Sequence, residues 1–322
     1  MFVRNRTSHK VCLARAEVTE DLLVAAVTLT VAFRLTQSGL VSWDGPRESL
    51  STDAPSTAAY AIWQGTGLTV SGAVLAANGR TTVERVQVRA ADQQYNLTVF
   101  GDRTWIRNGG KLVISVPSRF EEISLSWRAA FGGGYDMPPG LDPIRKLPHP
   151  GGRVDYHLNP TGVGFYADDR SAEGKPLPNI ERSDMLIQSV ADRPRPGGLS
   201  PCIDLSALRV IEMSKDELAG SEWQLPVALR LLHHTHSDLI FADLEPGTPI
   251  YIGGIGQQTI RFSLPPSPVK VSQRISKKEE RVGFRIRAIH VSAADGAVLV
   301  EYTHAFGCHP KRSPQWIHVD TI

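Results

Sequence analysis

The sequence predicts a mainly β protein: two related antiparallel β-sandwich-like subdomains, a long ordered Pro/Gly-rich excursion and few short helices. Three observations predict it. Apolar and polar residues alternate with period two over many short runs. Asn-Gly and Asp-Gly dipeptides punctuate those runs, and both central residues of the favoured hairpin turn need positive φ. No stretch carries the repeat of a long amphipathic helix.

Taken in order, LLVAAVTLTVAF (Leu22 to Phe33) is the most apolar segment. It is threonine-interrupted and well short of a membrane span, so it is a buried strand. VERVQVRA (Val83 to Ala90) sets Val83, Val86 and Val88 among Glu84, Arg85, Gln87 and Arg89, giving mostly one apolar and one polar face. YNLTVFG (Tyr95 to Gly101), KLVISV (Lys111 to Val116) and EISLSW (Glu122 to Trp127) continue the alternation. In the second half it returns at Thr248 to Ile255, Gln258 to Leu264, Gly283 to Val291 and Gly296 to Tyr302. Turn chemistry sits at Ala-Asn-Gly 77–79, Arg-Asn-Gly-Gly 107–110 and Ala-Asp-Gly 294–296. Lys270 to Gly283, basic and polar, reads as a solvated hairpin tip or linker.

Helical signals are thin. Ser214 and Glu217 form a capping-box pattern that opens about two turns ending before Pro226. Val227 to His234 fits a short helix or a strand. Residues 136–202 are rich in proline and glycine but interspersed with Tyr156, Phe165 and Tyr166, which favours an ordered excursion packed on sheets over a disordered linker. The domains expected are residues 1–135, an irregular segment 136–205 and residues 206–322. A short internal echo links ISLSWRAAFGGG to VLVEYTHAFGCH (Val298 to His309): an alternating strand, an aromatic, a basic residue, then Ala-Phe-Gly.

Composition narrows the function. The 322 residues are 41% hydrophobic and 21% charged, as in ordinary globular proteins, with a net charge of +2. No global basic field points to nucleic acid or a membrane surface. Cys12, Cys202 and Cys308 are an odd, widely separated set, so no disulfide framework is read and a reducing compartment fits. The N-terminal MFVRNRTSHKVCLARAE lacks the apolar core of a secretory signal, and a cytoplasmic protein is expected.

Candidate chemistry is sparse. The glycines of WRAAFGGGYD (Trp127 to Asp136) lead into Tyr135-Asp136-Met137-Pro138-Pro139, which cannot open a helix, so a phosphate loop is excluded. A structural corner releasing the chain from a strand is the better reading, with Arg128 available to carbonyls or a carboxylate. His233, His234, His236 and Asp238 resemble a metal cluster, and on a strand His234 and His236 share a face with Asp238 two residues on. Hydrogen-bonding or surface histidines remain the plainer reading, as they do for His304, Cys308 and His309. No Gly-x-Ser-x-Gly elbow surrounds Ser206, Ser214 or Ser263, and nothing nearby activates Cys202. The adjacent acids Glu121-Glu122 and Asp168-Asp169 read as solvated surface.

The order of several short motifs is more specific than any one of them. TLTVAFRLTQSGLV (Thr28 to Val41), LTVFGDRTW (Leu97 to Trp105), WRAAFGGG, NPTGVGF (Asn159 to Phe165), LPNIE (Leu177 to Glu181) and FSLP (Phe262 to Pro265) follow one another here. In that order the chain resembles the bacterial domain-of-unknown-function family 2169, found in type VI secretion clusters, over about residues 20–322. The resemblance implies a non-enzymatic adaptor or chaperone without a cofactor. Its implied partner is a secreted effector with a PAAR-like spike-tip domain, and the spike protein besides; no nucleic acid, membrane or small-molecule substrate is implied. The matching positions are Gly101, Asp102, Arg103, Trp105, Arg128, Phe131, Gly132, Gly133, Asn159, Pro160, Gly162, Gly164, Pro178, Asn179 and Glu181. The stretch after Gly198, LSPCIDLSALRVIEMSKDE, departs from the pattern, which in relatives is richer in tryptophan and arginine. The alternatives are a β-sandwich hydrolase with a histidine-bound metal, and a structural component of the secretion apparatus.

Overall fold

The computed structural model describes residues 2–7, 10–19, 22–43, 65–142, 144, 148–200, 235–256, 259–275, 278–308 and 314–321. Among these the protein is mainly β, with several sheets and a single short α-helix, Asp169–Ala172. The chain forms two compact units that are not consecutive in sequence. One comprises Met1–Thr69, Leu208–Ile250 and Arg261–Ile322; the other comprises Val70–Ala207 and Tyr251–Ile260. The linear division at 135 and 205 expected from composition differs from this interleaved one, because the chain returns to each unit after leaving it.

In the first unit the largest sheet is built around Leu22–Thr36, a 15-residue strand flanked by Ala297–Cys308 on one side and Lys10–Thr19 on the other, both antiparallel. Its apolar run is continuous rather than alternating because both of its faces are covered: Val31, Ala32 and Phe33 are consecutive and all buried. The Val31 and Phe33 side chains each stabilise the fold by about 1.5–3 kcal/mol. Arg285–Ser292 pairs with Ala297–Cys308 through a turn containing Asp295 and Gly296, where Gly296 has φ +61°. The Tyr302 hydroxyl donates to the Pro265 carbonyl at 2.9 Å and pins the FSLP segment. A second sheet has the order Phe2–Asn5, Pro314–Thr321, Val269–Ile275, Lys278–Val282, the first pair parallel and the others antiparallel. The expected hairpin over residues 270–283 is its outer half. Here period two is plain: Ile317, Val319, Val269 and Val271 are buried, whereas Lys270 and Arg274 are exposed.

The second unit holds the antiparallel strands Val83–Ala90, Gln93–Phe100 and Ile180–Arg182, followed by a series of two-stranded pieces. Trp105–Asn108 and Lys111–Ile114 form the hairpin that Asn-Gly-Gly predicts, with positive φ at Gly109 and Gly110. Gly134–Met137 pairs with Gly152–Asp155, and Gly140–Leu141 with Pro148–His149. Much of the Pro/Gly-rich stretch is therefore strand and turn around a core: Tyr156, Phe165, Ala172, Leu177, Ile187 and Val190 are buried together with Trp105 and Phe131. The short α-helix is closed by a capping box, Ser171 N–H donating to Asp168 while the Ser171 hydroxyl receives the Asp168 N–H.

Three local expectations change. Ala77–Gly79 is a 3-10 turn rather than a hairpin tip, because Ala73–Leu75 pairs with Glu122–Ser124 across the chain. The strand expected to run to Trp127 stops at Ser124, and Arg128 sits in the 3-10 turn Trp127–Ala129. The internal echo does not share a conformation. Ala305, Phe306 and Gly307 continue the strand Ala297–Cys308, whereas Ala130 follows a turn and Phe131–Gly132 starts a new two-residue strand. The Ser214–Glu217 and Val227–His234 helix candidates, with Cys202, Ser206 and His309, lie outside the described residues.

Candidate functional site

The matching positions from Gly101 to Glu181 all lie in the second unit, FSLP lying in the first, and most of them are joined into one framework. Its centre is Arg103, between the strands Gln93–Phe100 and Trp105–Asn108, which donates through Nη2 to the Pro178 carbonyl (2.6 Å) and to Glu181 Oε1. The guanidinium carbon lies 3.7 Å from the Phe100 ring centroid. Glu181 uses its second oxygen to accept the Ile187 N–H at 2.8 Å, so the pair also fixes the chain leaving Ile180–Arg182. Burial pushes the Glu181 carboxyl up, and the facing Arg103 charge and the Ile187 N–H oppose that rise. A buried acid shifted upward is a general-acid candidate in a cleft. Glu181 is instead sealed, its side chain 1% exposed and both oxygens taken, which makes it a clamp.

Around this ion pair the backbone is laced by the neighbouring motif residues. Asn179 donates to the Phe100 carbonyl (3.1 Å) and to Asp102 Oδ1 (3.0 Å). Trp105 N–H donates to the Lys175 carbonyl, and Leu177 N–H to the Arg103 carbonyl. Asp102 and Asn179 are thus structural partners although Asp102 is exposed.

The second half of the framework is the glycine corner. Asn159, 2% exposed, donates from Nδ2 to the Trp127 (2.7 Å) and Phe131 (3.1 Å) carbonyls and accepts the Thr161 hydroxyl at Oδ1. Its own carbonyl accepts Gly133 N–H at 2.8 Å. Phe131–Gly132 and Val163–Gly164 run parallel in register, drawing the two motifs together. Gly132 and Gly133 have φ of +154° and +84°, and a Cβ on Gly133 would stand 2.5 Å from the Gly162 carbonyl oxygen. The corner therefore demands glycine both for conformation and for close approach. Beyond it Phe131 meets Tyr156 edge-on at 5.0 Å and Phe165 at 6.5 Å.

Arg128 stands apart. It is exposed on the 3-10 turn held by Asn159 and makes no hydrogen bond or ion pair among the described residues. Pro178 is buried in the framework; Pro160, Gly162 and Gly164 are half-buried in it.

The model of the family described as "Uncharacterized protein conserved in bacteria (DUF2169)" matches residues 24–307. The chain belongs to this family. No curated protein and no solved structure gave a significant match.

In this DUF2169 chain the framework also uses residues that the motifs did not single out. Arg193 donates to the Val190, Asp192 and Tyr166 carbonyls and lies 5.0 Å from the Phe165 ring centroid. Trp127 Nε1–H donates to the Ser200 carbonyl at 2.7 Å. Arg107 grips Glu173 through Nε and Nη2 on the surface. The Arg-Pro-Arg-Pro run that Arg193 opens was the one sequence signal for the first of these; the others have none.

The histidine candidates behave differently. His234 lies outside the described residues. His236 is buried, and its Nδ1 accepts the Asp238 N–H at 3.0 Å to cap the 3-10 turn Ser237–Leu239. The strand geometry that would align two histidine ligands does not apply there. Among the described residues no group of three His, Cys, Asp or Glu side chains is arranged to hold a metal ion. Among them, too, no helix is long and apolar enough to cross a membrane.

Proposed function

We propose that this DUF2169 protein is a non-enzymatic adaptor or chaperone that holds a type VI secretion effector through its PAAR-like spike-tip region. On this reading it acts in the cytoplasm before firing and hands the effector to the secretion spike. The carrying observation is how the second unit divides its residues. Its motif side chains, Arg128 apart, are engaged in internal bonds, while the same unit also exposes several large apolar side chains. Of the large apolar side chains that are exposed among the described residues, all but Val41 belong to it, Val116 at 87% and Leu141 at 61% among them. A rigid corner with an unpaired Arg128, on a unit that also exposes apolar side chains, suits capture of a protein client better than turnover of a small molecule.

Co-expression with the effector or spike-tip protein encoded next to it tests the reading. A stoichiometric complex is expected, together with loss of effector secretion when the gene is deleted. A neighbour that never forms a complex, and whose secretion survives the deletion, overturns it. Retention of the protein in assembled spike particles would assign a structural role instead.

A further inference from the structure

The four-stranded sheet of the first unit presents one buried face and one charged face. In register, Arg4, His318, Ser272 and Arg281 form one row across all four strands, and Trp316, Arg274 and Glu279 form the adjacent row. Lys270 pairs with Asp320 in the next. Side chains two apart on a strand share a face. The opposite face carries Ile317, Val319, Val271 and Gln273, all at or below 5% exposure, so the basic row points away from the core. Arg4, Lys270, Arg274 and Arg281 are all exposed, and none has a hydrogen-bond or ion-pair partner among the described residues. Asp320 is already engaged by Arg6 at 3.4 Å, which leaves Glu279 as the one acidic group in the two rows. Four unpaired cations on a flat strand surface produce a local positive field that the net charge of +2 conceals.

We infer that this face docks an extended acidic segment, bearing several Asp or Glu side chains, of a partner protein. Charge complementarity selects an anionic occupant, since guanidinium groups pair bidentately with carboxylates. The two rings at the centre decide its class. Trp316 and His318 stack on each other with centroids 4.0 Å apart and planes 19° from parallel. Rings so arranged cover one face of each with the other. A single-stranded nucleic acid stacks its bases on free ring faces, and this pair has already used two of its four on itself. Ring N–H donors beside four cations suit carboxylates instead. The inference concerns a different unit from the motif framework and does not rest on the adaptor reading.

The test uses the full chain and a fluorescent Glu-rich peptide of about ten residues, followed by anisotropy. Saturable binding is expected, weakened about tenfold when Gln replaces Glu in the peptide or when Arg274→Glu and Arg281→Glu are introduced together. Arg119→Glu, an exposed residue of the other unit, is expected to change nothing. Equal binding of the Gln peptide overturns the inference, as does unchanged affinity in the double variant or an equal loss in Arg119→Glu. Binding of a thymidine oligonucleotide as tightly as the peptide also overturns it. Should the double variant not fold, Lys270→Glu and a salt titration from about 0.05 to 0.3 M decide: affinity that neither one weakens sinks the idea.

Discussion

Arg103 and Glu181 stand 78 residues apart in the chain and form an ion pair whose side chains are 6% and 1% exposed. Removing one partner strands a buried charge, so Arg103→Ala is expected to cost about 3–5 kcal/mol. In a unit of this size that lowers the melting temperature by roughly 10 °C. Replacing both members with apolar residues, Arg103→Met with Glu181→Leu, is expected to recover most of the loss, because the penalty arises from the uncompensated charge. Thermal melts of the single and double variants check this; equal destabilisation would show that the charge itself is not the cause.

Asn159 ties the glycine corner to the 3-10 turn through two donated bonds. Asn159→Ala removes a donor from the Phe131 carbonyl and from the Trp127 carbonyl, which keeps the Ala130 N–H, and the loss expected is about 1–3 kcal/mol. Asn159→Asp is expected to be worse, since a carboxylate would face two carbonyl oxygens. Chemical denaturation midpoints of the two variants give the ordering directly.

Arg128, exposed and unpaired two residues before Ala130, is expected to behave in the opposite way. Arg128→Ala should shift stability by no more than about 0.5 kcal/mol, as for other surface positions. If the adaptor proposal is right, the same change weakens capture of the effector in a co-purification assay while the melt stays native. A collapsed melt would place Arg128 in the framework instead.

Two histidines predict a pH dependence. His290 hydrogen-bonds Thr69 Oγ1 at 2.8 Å, and burial holds both His290 and His304 below the ordinary imidazole value of 6.5. Asp295 opposes this shift at His290, and the Gly283 backbone and Glu280 oppose it at His304. The unfolded chain takes up protons at these positions near pH 6.5 and the folded chain does not, so stability is fullest above about 6.5 and falls as the pH drops below it. Urea midpoints across that window should slope less in His290→Gln and His304→Gln.

What was legible in the sequence was local. Alternation marked the strands Val83–Ala90 and Arg285–Ser292, a continuous apolar run marked Leu22–Thr36, and Asn108 with its two glycines marked a hairpin. Each of these rests on side-chain period and φ preference within a few neighbours. The corner at Gly132 and Gly133 was legible too, as a structural turn, since the residues that follow cannot open a helix. No local pattern could say that Arg103 is sealed while Arg128 is open, or that His236 caps a turn. Nor could it say that Ala-Phe-Gly bends after Arg128 and runs straight after His304. Those outcomes depend on which distant carbonyl or carboxylate is brought close enough to satisfy a buried polar group. That is settled by packing over dozens of intervening residues, and only the tertiary structure decides it.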